Sequence, residues 1–319
     1  MKLKKNNGQG TVQHPPRPRA RRRLVFIGAI AAIVVFTAVF AVVQVRANNR
    51  VAARVDAALA EVSALASISY DSAYVNLFSG VVHVKGIEAV LTGSPDFIRA
   101  DSVVLYDLEK KAQDPETDSI HFAIKNLGVE AGSSLWGATA KVLQRMDYTL
   151  MSADVECRAT YNRPFSRLEV ESLVMDIKDF GRVDLAFALA NFKLGKNGLT
   201  LASLFRSGNA LPDTGVGKAR FVYEDHSFFT RLLAYRARQE QKTESQVREE
   251  QLADIRRRIL MEKNPAGQER LSAFKKFVAD PKRLTVLLDP VSPIPLMQLK
   301  DLQDPGQWPA LLRMTVSAQ

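Results

Sequence analysis

The chain has 319 residues, with 44 Lys and Arg against 34 Asp and Glu and a formal net charge of +10. Most of the excess is local: residues 1–23 hold eight basic side chains (Lys2, Lys4, Lys5, Arg17, Arg19, Arg21, Arg22, Arg23) and no acidic one, leaving 36 against 34 elsewhere. A body so near neutrality lacks the clustered cations of a nucleic-acid-binding domain. With 17 Gly, a single Cys and 46% apolar residues, collagen-like, disulfide-scaffold and wholly disordered classes are excluded too.

Residues 1–23, with Pro15, Pro16 and Pro18, read as a basic disordered tail. Leu24 to Val45 then runs for 22 residues without a charge. A helix of that length spans about 33 Å, close to the hydrocarbon thickness of a bilayer. The cations before it outnumber Arg46, Arg50 and Arg54 just after it. The positive-inside rule therefore predicts a single-pass transmembrane helix over 24–45, with the N-terminus cytoplasmic and residues 46–319 outside. A cleaved signal peptide fits less well, because the apolar stretch exceeds a signal core of about 7–15 residues.

Val51, Val55, Ala58, Leu59, Val62, Leu65 and Ala66 recur at steps of three and four, which predicts a juxtamembrane amphipathic helix over 46–66. Residues 67–319 read as one α+β domain, with a β-rich part over 67–225, a helical insertion over 226–281 and returning strands over 282–319. In the first part the predicted strands are 68–77, 81–91, 98–108, 120–129, 148–161, 168–177, 183–194 and 218–223. Short runs separated by glycine turns favour an antiparallel meander over βαβ units. The insertion carries three capped helices: Ser227 before Phe228, a Thr243/Gln246 capping box, and Asn264-Pro265. Strands at 284–288 and 313–318 complete the domain, with a short helix predicted at Asp304-Pro305.

A search for chemistry finds no complete motif. His14, His83, His121 and His226 have no i, i+4 spacing around a Glu, and one cysteine excludes thiolate metal sites. Cys157 lies on the apolar face of 148–161 and reads as a small core residue. Gly215 to Ala219 fails as a phosphate loop because Pro212 and Ala219 occupy required positions. Glu169 with Glu171, and Asp176 with Asp179, could be drawn as acid/base pairs but read as solvated edge charges. No catalytic, cofactor-binding or metal-ligating residue is therefore expected.

Two features could bind something. Strand 148–161 pairs an apolar face with a polar one, and 183–194 is large on one face and small on the other. Val155 and Phe187 are thus candidates for an apolar ligand face, the bland alternative being a closed core under the helices that carry Phe228 and Phe274. Arg256, Arg257 and Arg258 form the one basic triplet beyond the anchor, a candidate contact for an anionic headgroup or a partner protein. In the partner reading these arginines would rim an apolar contact such as Phe228, Phe229 or Phe277.

The anchor, the short helix, ISYDSAYVNLFSGVVHVKGIEAVL and FIRADSVVLYDLE together resemble the opening of the AsmA-like family of membrane-anchored periplasmic proteins. The shared features are a strand ending in the turn Leu77–Gly80, the Val84-Lys85-Gly86-Ile87 step, and the alternating strand Ile98–Leu108. The C-terminal stretch, FVYEDHSFFTRLL with the charged helices after it, FVADPKRLTVLLDPVSPIPL and a closing strand, resembles bacterial envelope proteins of unassigned function; together the resemblance covers about half the chain and has no catalytic signature. It implies a groove-like β fold, a bacterial inner-membrane location with the body in the periplasm, and a role in envelope maintenance that includes lipid binding or transfer. The alternative is an adaptor that docks other envelope proteins through its charged helices. The chain departs from the large members in being short and in carrying the helical insertion.

Overall fold

The computed structural model describes residues 44–57, 59–60, 63, 66–93, 96–106, 116–194, 213–301 and 307–319. The chain divides into two compact units, Met1–Ala47 and Asn48–Gln319. The basic tail, and all but the last two residues of the 24–45 segment, lie outside the described residues. Among those described, no helix is long and apolar enough to cross a membrane.

Helix α1 covers residues 44–57. Ala66, which the sequence spacing gave to this helix, instead opens β1 (Ala66–Ser69), because buried Ala66 begins an alternation with Ser67. β2 (Ser72–Val75), β3 (Val82–Leu91), β4 (Phe97–Leu105), β5 (Thr117–Glu130), β6 (Leu150–Asn162), β7 (Arg167–Ile177), β8 (Gly181–Ala190) and β9 (Gly215–Asp225) follow. Helices α3 (Phe228–Glu240), α4 (Glu244–Met261) and α5 (Pro265–Ala279) come next. The chain ends with β10 (Arg283–Leu288), β11 (Ile294–Pro295), α6 (Leu296–Asp301), α7 (Trp308–Leu311) and β12 (Thr315–Ala318). All of these strands belong to one antiparallel sheet, in the order β1-β3-β4-β5-β6-β7-β8-β9-β10-β12, with β2 also on β3 and β11 also on β9. From β3 to β10 every strand pairs with its neighbour in sequence, which is the predicted meander. Because β9 and β10 pair directly, α3 to α5 form a detour between adjacent strands and leave the sheet unbroken. The fold class is α+β, dominated by this sheet.

The caps show why the detour has three helices. At α4, the Thr243 hydroxyl accepts from Gln246 N and the Gln246 side chain accepts from Thr243 N. At α5, Asn264 Oδ1 accepts from Ala266 N at 3.0 Å and Pro265 supplies the first helical φ. At α3 the expected cap differs. The Ser227 hydroxyl donates to the Asp179 carbonyl instead, and Asp225 Oδ1 takes the Phe229 N–H at 2.9 Å. Phe229, Leu233, Ala237, Val247, Ile255, Phe277 and Val278 then form one buried cluster against Tyr223, Leu284 and Ala318, fastening the helices to β9, β10 and β12.

One connection was not foreseen. Between β5 and β6 lie a 3-10 turn (Ser134–Thr139) and helix α2 (Ala140–Arg145). Gly137 turns the chain there at φ 53, ψ −128, a conformation suited to glycine. Leu143 and Met146 are buried with Tyr148 and Met151, and Phe228 from α3 packs on this cluster.

A bulge in β5 keeps the faces in phase. The register shifts between Ile124 and Leu127 opposite Asp154, with Asn126 at φ 51. The extra residue lets both Ile124 and Leu127 stay on one face, since side chains alternate along a strand. Asp154 pins the bulge, accepting from Asn126 N at 2.9 Å and from Lys125 Nζ at 2.8 Å. The Lys125 ammonium first, and the Asn126 N–H second, hold the Asp154 carboxyl below its usual 3.8. A carboxyl depressed in this way stabilises the fold above its unfolded pKa, and the contribution is lost as pH falls through the folded value. Asp154→Asn should therefore cost less than about 1 kcal/mol at neutral pH, because the pair is solvent-exposed. In urea titrations the gap from wild type should close as pH drops through the carboxylate range. A gap that stays constant in acid would show that the charge plays no part.

Candidate apolar ligand face

The strand registers assemble side chains into rows running across the sheet. One row reads Val82, Leu105, Phe122, Cys157, Leu173, Leu185, Phe221, Val286 and Val316, apolar on nine successive strands from β3 to β12. The adjacent row reads Val84, Val103, Ile124, Val155, Met175, Val183, Tyr223, Leu284 and Ala318, and is also without a charge. A third holds Ile120, Ala159, Val170, Phe187, Ala219 and Leu288. Val155 and Phe187 therefore lie on the same face, one row apart on either side of the row through Cys157. Bulges at Ile124/Leu127, Arg158/Ala159, Val170/Leu173 and Phe187/Leu189 accommodate the extra residues that would otherwise put the rows out of phase.

Burial varies along the face. Phe122, Cys157, Ala159, Tyr161, Leu168, Val170 and Phe192 form a buried cluster, with Ile124, Leu173 and Phe187 packed at its margin. The α3–α5 cluster covers Tyr223, Leu284 and Ala318, and a smaller one around Ile294, Leu299 and Leu312 covers Val216 and Leu288. Between these, Val155, Met175, Val183, Leu185, Phe221 and Val286 are only half-buried. Cys157 is buried as expected, and that burial pushes its thiol up from its usual range, which disfavours the reactive thiolate.

The reverse face mixes charged side chains with buried Val104, Ala123 and Val222. Asp154, Asp176, Arg182, Glu224 and Arg283 follow one another across β6 to β10. Arg182 lies 3.9 Å from Asp176 and Arg283 lies 3.6 Å from Glu224. Arg220 bonds Asp184 at 3.1 Å, and the His121 ring stacks on Tyr106 with Nε2 3.2 Å from Glu156. His83 stacks on Tyr74.

The carboxylate pairs drawn from the sequence do not converge. Glu169 is exposed beside Arg167 at 3.4 Å, and Glu171 is exposed in the β7 bulge. Asp176 is half-buried opposite Arg182, while Asp179 sits in the β7–β8 turn, where its carbonyl accepts from Tyr148 and Ser227. Among the described residues no cluster of His, Cys, Asp and Glu is arranged to hold a metal ion.

Arg256, Arg257 and Arg258 are all exposed on α4. Asp254 pairs with Arg257 at 3.4 Å and with Arg258 at 2.8 Å. The apolar contact expected beside them is elsewhere. Phe229 and Phe277 are buried, and Phe228 packs on Phe180 with ring centroids 4.3 Å apart. The exposed apolar residues that do adjoin the triplet are Leu260 and Met261, at the end of α4. Phe274, expected to face inward, is exposed.

A family model described as "Uncharacterized protein" matches residues 174–319. That stretch runs from within β7 through the helical detour to the last strand, and the segment on which the AsmA-like resemblance rests precedes it. No curated protein matches the chain.

Proposed function

We propose that the chain is a non-catalytic, membrane-anchored protein of the bacterial envelope whose sheet face binds the acyl chains of phospholipid. In this reading residues 24–45 span the inner membrane and residues 46–319 lie in the periplasm. The observation that carries it is the pair of nine-strand rows without a charge, whose middle is only half-buried. At about 4.8 Å per strand such a row is about 38 Å wide, ample for an acyl chain lying against it. The half-buried apolar surface there gives the driving force for binding, at about 25 cal/mol per Å² of apolar area removed from water. The resemblance of the opening strands to AsmA-like proteins supports the same reading.

The test is native mass spectrometry of residues 46–319 purified without detergent. Phospholipid should co-purify, and should be lost from Val155→Asp or Phe187→Asp protein that retains the wild-type circular dichroism spectrum. A consistently ligand-free wild-type protein would overturn the reading.

The second reading, an adaptor, is favoured by the exposed Leu260 and Met261 beside Arg256, Arg257 and Arg258. An apolar pair with a cationic rim is the composition of a small protein-docking patch. Crosslinkers placed at Arg256 or Leu260 in cells would then capture one defined envelope protein.

A further inference from the structure

Helix α5 runs along the last strand. Arg270 Nη1 reaches the Met314 carbonyl at 3.5 Å, just before β12, and Phe277 and Val278 belong to the cluster on which Ala318 packs, so helix and strand point the same way. Four residues of helix rise about 6 Å and two of strand about 7 Å, which brings Phe274 level with Val316. We propose that the acyl chain of a phospholipid lies in a slot here, under the ring of Phe274, with the lipid phosphate held by Arg270. The slot is part of the face assigned to lipid above, so the inference rests on that reading and adds where the ligand lies and what grips its charged end.

Two observations support it. The first is an exposed ring on a buried side of the helix. Gly267, Phe277 and Val278, which share a helix side with Phe274, are all buried, and Arg270 on the same side is half-buried. Phe277 packs edge-on against Tyr223 and Phe229, with ring centroids 6.0 and 5.6 Å away, so this side is the one turned to the sheet. Phe274 stands in the middle of it and is still 43% exposed. The space in front of its ring is therefore unfilled. Val316 and the Val286 opposite it are half-buried, and their row continues through half-buried Phe221 and Leu185. At about 4.8 Å between strands, these four residues make an uncharged floor about 14 Å long.

The second observation is an arginine without an acid. Arg236 pairs with Glu240 at 2.9 Å, Arg238 with Asp147 at 3.2 Å and Arg258 with Asp254 at 2.8 Å, but among the described residues no carboxylate pairs with Arg270. Arg270 lies one helical turn before Phe274, at the end of the floor that Val316 begins. A half-buried cation beside an uncharged strip is complementary to an anionic head on an apolar tail, and the planar guanidinium fork suits a phosphate. Lys275 and Lys276 on the same helix, against Glu269 alone, strengthen the attraction for an anion.

The experiment reconstitutes the full chain in vesicles of phosphatidylethanolamine and phosphatidylglycerol, with photoreactive p-benzoylphenylalanine in place of Phe274, Met175 or Phe165. Met175 is half-buried on the same sheet face and reports on the lipid reading itself, while Phe165, 75% exposed in the β6–β7 turn, reports chance contact. After illumination, mass spectrometry should find phospholipid adducts at positions 274 and 175, and about fivefold less at 165. Arg270→Gln should lower the adduct at 274 by about tenfold, and Arg270→Lys, which keeps the charge, should restore most of it, both with the wild-type circular dichroism spectrum. Adducts at 175 with none at 274 would overturn the slot and leave the lipid reading standing. Equal yields at 274 and 165 would overturn it as well, and an undiminished yield in Arg270→Gln would overturn the grip on the phosphate. No adduct at either 175 or 274 would remove the lipid reading and the slot together.

Discussion

Leu233→Ala should lower the unfolding free energy of residues 46–319 by about 3 kcal/mol, within the range for truncating a fully buried Leu. Leu233 is 1% exposed and sits among Phe229 and Ala237 of its own helix, Val247 and Ile255 of α4, and Phe277 and Val278 of α5. These three helices are a detour between paired strands, so the sheet's hydrogen bonds do not hold them in place. The largest buried cluster that attaches them is this one, which also shields Tyr223 and Leu284 on the apolar face. The cavity left by Ala should therefore loosen the helices first and expose more of that face. Urea unfolding followed by tryptophan fluorescence and circular dichroism would measure the loss, with Leu260→Ala as the comparison. Leu260 is 84% exposed, and its truncation should change stability by less than about 0.5 kcal/mol. Equal effects of the two substitutions would mean that the helices are not packed on the sheet.

What was legible in the sequence was what depends on neighbours in the chain. Strands of the meander announce themselves by period-2 alternation, as at Met151 to Tyr161, where both faces can be assigned without a partner. The Thr243/Gln246 box and Asn264-Pro265 are local as well, and both caps form as read. Ser227 misled because a hydroxyl before a helix is a cap only if no other partner takes it, and here it donates to the Asp179 carbonyl while Asp225 takes the Phe229 N–H. Helix α2 was missed because six residues carry too little periodicity to stand out.

The site was half legible for a related reason. Val155 and Phe187 each lie on an apolar strand face, but the nine-strand rows depend on register and on bulges that only the sheet reveals. The phenylalanines of α3 and α5 show the converse limit. Helical spacing says which residues share a face, and says nothing about whether that face meets the sheet or the solvent, so Phe228, Phe229 and Phe277 could equally be read as a partner contact or as core, and the structure packs them inside.

Asp225→Ala should cost about 2–4 kcal/mol. One carboxylate oxygen serves two elements: Asp225 Oδ1 accepts from the Tyr223 hydroxyl at 2.6 Å and from Phe229 N at 2.9 Å. Loss of a helix cap costs about 1 kcal/mol, and loss of a hydrogen bond to a charged acceptor about 1.5–3 kcal/mol. Tyr223 would keep only its 3.3 Å bond to the Phe180 carbonyl. Burial first, and the Asp225 hydrogen bond second, push the Tyr223 hydroxyl well above its ordinary 10. With the folded pKa raised, the neutral hydroxyl stabilises the fold below the unfolded value, and that contribution is lost as pH rises through the folded one. Tyr223→Phe should therefore narrow the stability gap between wild type and Asp225→Ala, because the two substitutions remove one shared bond and cannot add. Strict additivity in the double-mutant cycle would show that the bond contributes nothing. Alkaline difference spectra against Tyr223→Phe give the second readout. In Asp225→Ala the hydroxyl should ionise earlier than in wild type yet still later than an exposed tyrosine, because burial, the larger cause, remains when the carboxylate is gone.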